Sequence, residues 1–141
     1  MFIGTYRHQI DEKNRLRMPS KFKEGLKEGF IIAKGTNGCL FAFSSESFEE
    51  LYKKLENVSM FDLEAQKPVR ALLASAFVTE EDKQGRILLS PELRSYAKIV
   101  KNIVTIGVGN HVEIWSEENF NAYNTEESYD SASAALTKYG V

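Results

Sequence analysis

The chain has 141 residues, of which 43% are hydrophobic and 27% charged, and its formal net charge is −2. This length suits one globular unit or two small ones, and the single cysteine, Cys39, excludes an intramolecular disulfide. Because the sequence shows neither a signal-peptide pattern nor an apolar run long enough to cross a bilayer, we expect a cytoplasmic protein without membrane contact.

The small net charge hides a separation of charge along the chain. Residues 7–27 contain seven basic and three acidic side chains, a net charge of +4. Residues 113–130 contain six acidic side chains and no basic one. This asymmetry is compatible with a basic face that binds nucleic acid, and also with an ordinary solvated surface.

In chain order, the first half alternates strand and helix patterns. Alternating polarity predicts a strand over Phe2–Ile10, a tight turn over Asp11–Asn14 and a strand over Arg15–Met18. The elements predicted to follow are a helix at Ser20–Lys27, strands at Phe30–Ala33 and Cys39–Phe43, and a helix from Ser44 or Ser45 to about Leu55. An apolar stripe on the last helix, typical of a core or an interface, consists of Phe48, Leu51, Tyr52 and Leu55.

A polar connection, predicted over Asn57–Lys67, leads to the second half. Pro68 is suited to the first position of the next helix. The elements predicted after it are a strand near Ala76–Glu80, a turn at Asp82–Gly85, a strand at Arg86–Leu89, a helix at Pro91–Tyr96, strands at Ile103–Ile106 and Val112–Trp115, and a helix that Ser116 caps. After Thr125 we expect a loosely held helix or a frayed terminus.

The two halves repeat one motif. DEKNRLRMPSKFK, which begins at Asp11, matches DKQGRILLSPELR, which begins at Asp82, and this match aligns Arg15 with Arg86. After a slip of one residue, GCLFAFSSESF at 38–48 aligns with NHVEIWSEENF at 110–120. The sequence therefore predicts one strand–turn–strand–helix unit present twice. Each unit is too small for a core of its own, so the halves must pack against each other, against another chain, or both.

Each Asp-x-x-x-Arg motif brackets a tight turn with Asn14 or Gly85 at its tip. The carboxylate and the guanidinium can form an ion pair across the turn, which on a surface contributes at most about 1 kcal/mol. Alternatively, Arg15 and Arg86 can donate to phosphate or guanine while the aspartates fix the turn. More cations surround the first turn (Lys13, Arg17, Lys21, Lys23) than the second (Lys83, Arg94), so we expect unequal contributions.

The opening MFIGTYRHQIDEKNRLRMPSKF, the later DKQGRILLSPELR and the following IGVGNHVEIWS resemble the MraZ family, from Met1 to about Tyr123. This resemblance implies an α+β fold of two β-β-α-β-β AbrB-like repeats, at 5–47 and 76–119, that form a swapped-hairpin β-barrel with peripheral helices. It also implies a nucleoid-associated regulator of cell-division and cell-wall genes. Such a regulator would bind repeated promoter boxes in double-stranded DNA as a homo-oligomeric ring.

The DNA-binding residues expected from the motif and the resemblance are Asp11, Lys13, Arg15, Arg17, Asp82, Lys83 and Arg86. The alternative is an oligomeric scaffold in which both Asp-x-x-x-Arg turns are purely structural. Both hypotheses require self-association.

Nothing in the sequence predicts catalysis, a cofactor, a small-molecule substrate or a metal. The run from Gly107 to Gly109 lacks the third glycine and the following helix of a dinucleotide-binding loop. His8 and His111 have no second ligand at helical spacing, so neither indicates a metal site. Cys39 lies in an apolar strand pattern and is expected to fill core space.

Overall fold

Eight short strands and six α-helices make up the computed structural model, which describes all residues 1–141. The strands are β1 (Thr5–Gln9), β2 (Arg15–Arg17), β3 (Ile31–Lys34), β4 (Leu40–Phe43), β5 (Phe77–Val78), β6 (Arg86–Leu88), β7 (Asn102–Gly107) and β8 (Val112–Ser116). The helices are α1 (Ser20–Leu26), α2 (Ser45–Leu55), α3 (Leu63–Ser75), α4 (Pro91–Ala97), α5 (Glu117–Tyr123) and α6 (Glu126–Ala132), and a 3-10 helix spans Ser133–Tyr139. The predicted α+β class is confirmed.

Hydroxyl side chains cap helices where the sequence predicts them. Ser44 and Ser116, which the repeat aligns, accept backbone N–H groups at the starts of α2 and α5. Ser90 does the same for α4, with Pro91 at the first helical position. A hydroxyl acceptor at this position stabilises a helix by about 1 kcal/mol, so local chemistry favours these three helix starts.

The predicted start of α3 is wrong. The helix begins at Leu63, where the Asp62 side chain accepts the backbone N–H of Ala65 at 3.2 Å. Pro68 consequently lies inside the helix, where it cannot donate an intrahelical hydrogen bond. The aspartate cap outweighs the proline signal, and much of the connection predicted over residues 57–67 is helical.

Six strands form one antiparallel sheet in the order β1-β7-β8-β4-β3-β5. β1 pairs with β7 and β5 pairs with β3, so each half of the chain supplies an edge strand to the other half. The repeat aligns β1 with β5, β3 with β7 and β4 with β8. When these strands are exchanged, the order becomes β5-β3-β4-β8-β7-β1, which is the same order read from the opposite edge of the sheet. The sheet is open, with β1 and β5 at its edges, so the predicted closed barrel is not confirmed.

One hydrophobic core joins the two halves. Leu16, Phe22 and Ile32 from the first half pack in the same cluster as Ile87 and Ile103 from the second, and none of the five is more than 2% exposed. The expectation that the halves pack against each other is therefore confirmed. On the other face of the sheet, a smaller cluster contains Cys39, Val104 and Trp115.

Neither α2 nor α3 contains a buried residue, so neither helix is fully packed against the rest of the protein. The Phe48 ring lies 5.8 Å from the Phe43 ring on β4, but Tyr52 in the same stripe is 46% exposed. The loop between α2 and α3 exposes Met60 and Phe61. A helix forms after Thr125, as predicted. Every residue of α6 and of the 3-10 helix is exposed.

Candidate nucleic-acid interface

A two-stranded ribbon brings the two Asp-x-x-x-Arg motifs onto one surface. β2 pairs antiparallel with β6, with Arg15 opposite Leu88 and Arg17 opposite Arg86. The middle residue of each strand is buried, so alternation directs the other four side chains away from the core. We call Arg15, Arg17, Arg86 and Leu88 the outward face of the ribbon.

Asp11 organises the first turn. Its Oδ1 atom accepts the backbone N–H groups of Lys13 and Arg15, both at 2.9 Å. Its Oδ2 atom accepts a hydrogen bond from Nε of Arg15 at 2.8 Å. Asn14 at the tip has φ 61°, a left-handed conformation that asparagine adopts at low cost. The predicted pairing of Asp11 with Arg15 is therefore present.

Asp82 organises the second turn in the same way. Its Oδ1 atom accepts the backbone N–H groups of Gln84 and Arg86 at 2.9 Å, and its Oδ2 atom accepts from Nε of Arg86 at 2.8 Å. Gly85 takes the position of the tip residue, with φ 74°. The hydrogen bonds that the two aspartates accept match one for one.

The turns are also linked to each other. Nη1 of Arg15 lies 3.7 Å from Oδ2 of Asp82, and Nη1 of Arg86 lies 3.7 Å from Oδ2 of Asp11. Each aspartate thus contacts both arginines, and the four side chains form a closed network. The sequence predicts two separate turns, whereas the structure combines them into one composite site.

Both carboxylates of this network are ionised at neutral pH. Desolvation acts to raise the pKa of Asp11, but hydrogen bonds from the backbone and side chain of Arg15 and from the Lys13 amide outweigh it and lower the pKa. For Asp82, the backbone hydrogen bond from Arg86 is the main cause of a lowered pKa, against a smaller effect of desolvation. Negative charge on both carboxylates keeps the arginines oriented.

The network leaves most arginine donors free. Only Nε of Arg15 and of Arg86 donates a hydrogen bond to its carboxylate, since the Nη1 contacts at 3.7 Å are too long. The two terminal nitrogens of each guanidinium can therefore donate side by side. Such a pair of donors matches two oxygens of a phosphate or the O6 and N7 acceptors of guanine.

Additional cations surround the composite site. The side chains of Lys13, Arg17 and Lys83 are exposed, and none of them forms an ion pair. Together with Arg15 and Arg86, they place all five predicted cations on or beside the ribbon. The structure thus brings together the seven residues that the sequence predicted for the site.

A groove of about 800 Å³ lies beside the second turn, and β1 and α1 form its other walls. Arg7, Arg17 and Lys23 of the first half contribute to its lining. Lys23 also pairs with Glu81, directly before the second turn. The expectation that only Lys83 and Arg94 surround this turn is wrong, because antiparallel pairing delivers cations from the other half; Arg94 donates to the Leu89 carbonyl oxygen instead.

Sequence reasoning missed Arg7 and Leu88 as residues of this surface, and it placed Lys23 beside the first turn only. Arg7 lies outside the repeated motif on edge strand β1, where its guanidinium is 5.5 Å from the centre of the Phe120 ring. The repeat aligns Leu88 with Arg17, which places both on corresponding strands. Only the β2–β6 pairing shows that they share one face, and no periodicity in the sequence predicts that pairing.

Comparison with known proteins agrees with this internal repetition. The family model described as "MraZ protein, putative antitoxin-like" matches the chain twice, at residues 1–70 and 72–139. The chain belongs to the MraZ family. The family resemblance of the two motifs is thereby confirmed, and each half of the chain carries one copy of the matched pattern.

Full-length relatives in the MraZ family carry the name "Transcriptional regulator MraZ". The protein of Acetivibrio thermocellus is 42% identical over 135 residues, covering 96% of this chain and 94% of the relative. The protein of Desulforamulus reducens is 43% identical over 126 residues, 89% of each chain. That of Clostridium beijerinckii is 40% identical over 142 residues, the whole of both chains.

Other groups in this MraZ-family chain have structural contacts. Burial raises the pKa of the Cys39 thiol to about 12, so it is an unreactive core side chain at neutral pH. Glu113 accepts from Nε1 of Trp115 at 3.0 Å and lies 3.0 Å from Nε2 of His111. No three His, Cys, Asp or Glu side chains are arranged to hold a metal ion. No helix combines the length and apolar character of a membrane span.

Proposed function

We propose that this protein is a sequence-specific, DNA-binding transcriptional regulator and that the composite Asp/Arg site contacts double-stranded DNA. The observation that carries the proposal is the β2–β6 ribbon, which presents Arg15, Arg17 and Arg86 outward with the first and last held by carboxylates. The major groove of B-DNA admits a two-stranded ribbon of this kind. The names of the full-length relatives support a regulatory role.

The mechanism rests on preorganisation. Asp11 and Asp82 hold the two arginines before DNA binds, so less side-chain entropy is lost on binding. Arg15 and Arg86 can then read paired acceptors on bases, while Arg17, Lys13 and Lys83 neutralise phosphates. Asp11 and Asp82 are turned toward the turn amides and serve as positioning residues.

We further propose that residues 5–47 and 76–119 act as two AbrB-like DNA-binding repeats and that copies of the chain assemble into a ring. Exposed apolar side chains on α2, α3 and the loop between them support self-association, because a monomer would leave them in water. A ring would present several ribbons to repeated promoter boxes, which raises affinity through effective concentration.

The family resemblance extends this proposal to cell biology. It implies promoters of cell-division and cell-wall genes as targets and a cytoplasmic, nucleoid-associated location. A non-enzymatic role is consistent with the regulator names of the relatives.

The alternative function is an oligomeric scaffold with purely structural turns. One observation favours it: the crossed contacts link the two halves of the chain, as a structural clasp would. However, solvent-accessible ion pairs contribute little to stability, about 0–1 kcal/mol each. The free Nη donors and the unpaired cations beside them have no purpose in a scaffold.

Titration of the full chain with selected and random duplexes across salt concentrations tests the proposal. We expect tighter binding to the selected duplex, with affinity falling as salt increases because phosphate contacts release counterions. Arg15→Ala should reduce the preference for the selected duplex, whereas Arg70→Ala, at an exposed arginine on α3, should not. Equal binding of both duplexes by the unmodified chain would contradict sequence-specific recognition.

A further inference from the structure

The outward face of the ribbon departs from the internal symmetry at one position. The repeat aligns Asp11 with Asp82, Arg15 with Arg86, and Arg17 with Leu88. One end of the face therefore carries a cation, and the corresponding position at the other end carries an aliphatic side chain. Leu88 is 62% exposed although the residue before it is fully buried.

The position of Leu88 places an apolar group among DNA-facing arginines. Leu88 is the direct cross-strand partner of Arg15, and directly paired residues on one face of a sheet have Cβ atoms about 5 Å apart. If the ribbon lies in the major groove, Leu88 would therefore lie against the base next to the one that Arg15 contacts. The only apolar group on the major-groove edge of a base pair is the C5-methyl of thymine.

We propose that Leu88 is a specificity-determining residue that contacts the C5-methyl group of a thymine adjacent to the Arg15 contact. This inference rests on the proposed DNA-binding function. Burial of the exposed leucine against the methyl group supplies the free energy, which for one methyl-sized group corresponds to about a fourfold change in affinity.

The same asymmetry gives each chain a direction on the duplex. Arg17 attracts phosphate at one end of the ribbon, and Leu88 selects thymine at the other. Reversing the chain on DNA would place the cation over the thymine methyl and the leucine beside a phosphate. The pseudo-symmetric ribbon therefore recognises an asymmetric site.

Thymine-to-deoxyuridine substitution tests this inference, because it removes only the methyl group. The full chain would select a duplex from a randomised pool, and each thymine of that duplex would then be replaced in turn. We expect about fourfold weaker binding at one or two positions for the unmodified chain. Leu88→Ala should bind the thymine and deoxyuridine duplexes equally at those positions.

Two further variants sharpen the test. Val78→Ala removes an aliphatic side chain of matching exposure, 63%, on edge strand β5, and should keep the thymine preference. Leu88→Arg restores the symmetry of the ribbon, so it should lose the preference while the salt dependence of binding becomes steeper by about one counterion. Thermal melting within a few degrees of the unmodified chain would establish that each variant is folded.

The outcomes separate this inference from the proposed function. If the unmodified chain selects a duplex but Leu88→Ala retains the same deoxyuridine penalty, Leu88 does not read thymine. A change of oligomeric state in Leu88→Ala with unchanged thymine preference would assign the residue to a contact between copies and overturn the inference. If the unmodified chain selects no duplex, the DNA-binding proposal itself fails.

Discussion

Nη1 of Arg15 lies 3.7 Å from Oδ2 of Asp82, so the arginine of the first turn contacts the aspartate of the second. The reciprocal contact, between Arg86 and Asp11, has the same length. Because each carboxylate faces both guanidinium groups, a change at either aspartate should affect both arginines. We therefore expect the composite site to behave as one unit.

Replacement of one aspartate tests this coupling. Asp11→Ala removes the carboxylate that accepts from Arg15 and that also lies near Arg86. Because one bidentate base contact contributes about 1–3 kcal/mol, we expect DNA affinity to fall about tenfold or more. Thermal stability should change only modestly, because the pairs are solvent-accessible. Fluorescence anisotropy with a selected duplex and a thermal melt would measure both effects.

Asp62→Ala is the matched control for this variant. Asp62 also accepts a backbone N–H, but it caps α3 and is not part of the composite site. Its loss should lower stability by about 1 kcal/mol and leave DNA affinity unchanged. A large melting shift in Asp11→Ala with normal DNA binding would instead favour the scaffold.

Local chemistry explains which features the sequence predicts well. Ser44, Ser90 and Ser116 begin helices because a hydroxyl acceptor satisfies amides close in sequence. The Asp11 turn forms for the same reason, with every partner within four residues. Such features need no knowledge of the rest of the fold.

Long-range pairing explains what the sequence does not predict. The proximity of Lys23 to the second turn depends on antiparallel pairing between halves, and the open edge at β1 depends on the order of all six strands. The predicted start of α3 is wrong because Pro68 favours the first position of a helix, whereas Asp62 caps the helix earlier in the chain. Neither helix propensity nor periodicity ranks such competing signals.

The pH dependence of stability should reflect the two aspartates. Their pKa values are lower in the folded chain than the unfolded value of about 3.9. Their contribution to stability is therefore complete above the unfolded pKa and lost as pH falls through the folded pKa. Asp11→Asn with Asp82→Asn keeps an oxygen acceptor and removes the charge.

Urea unfolding of the unmodified chain and this double variant would isolate that contribution. The difference in their free energies of unfolding should stay constant between about pH 7 and pH 5 and shrink below about pH 4. A difference that persists unchanged at lower pH would show that the aspartate charges do not stabilise the turns.

Self-association should depend on the loop between α2 and α3. Met60 and Phe61 are 71% and 83% exposed, and Leu63 at the start of α3 is 69% exposed. We expect Met60→Ser with Phe61→Ser to shift the oligomer to smaller species in sedimentation velocity, because the apolar contact would be lost. Tyr139→Ser, a similarly exposed residue of the C-terminal segment, should leave the oligomer unchanged. A monomeric unmodified chain at micromolar concentration would rule out the ring.

The two arginines should contribute equally to DNA binding. Fewer cations surround the second motif in the sequence, which predicts a smaller loss of DNA affinity for Arg86→Ala than for Arg15→Ala. In the structure, however, both arginine side chains are 25% exposed and have matching carboxylate contacts. Each alanine variant should lose about 1–3 kcal/mol on a duplex with one box and more on several boxes, because every engaged subunit loses the contact.

Arg17→Ala separates base contacts from phosphate contacts within the same ribbon. Its side chain is exposed and has no carboxylate partner, so its loss should weaken selected and random duplexes alike and reduce the salt slope by about 1. Arg15→Ala and Arg86→Ala should mainly reduce the preference for the selected duplex. Titrations at several salt concentrations on one-box and multi-box DNA distinguish these patterns. If Arg15→Ala leaves multi-box binding and its salt slope unchanged, the ribbon is not the surface that contacts DNA.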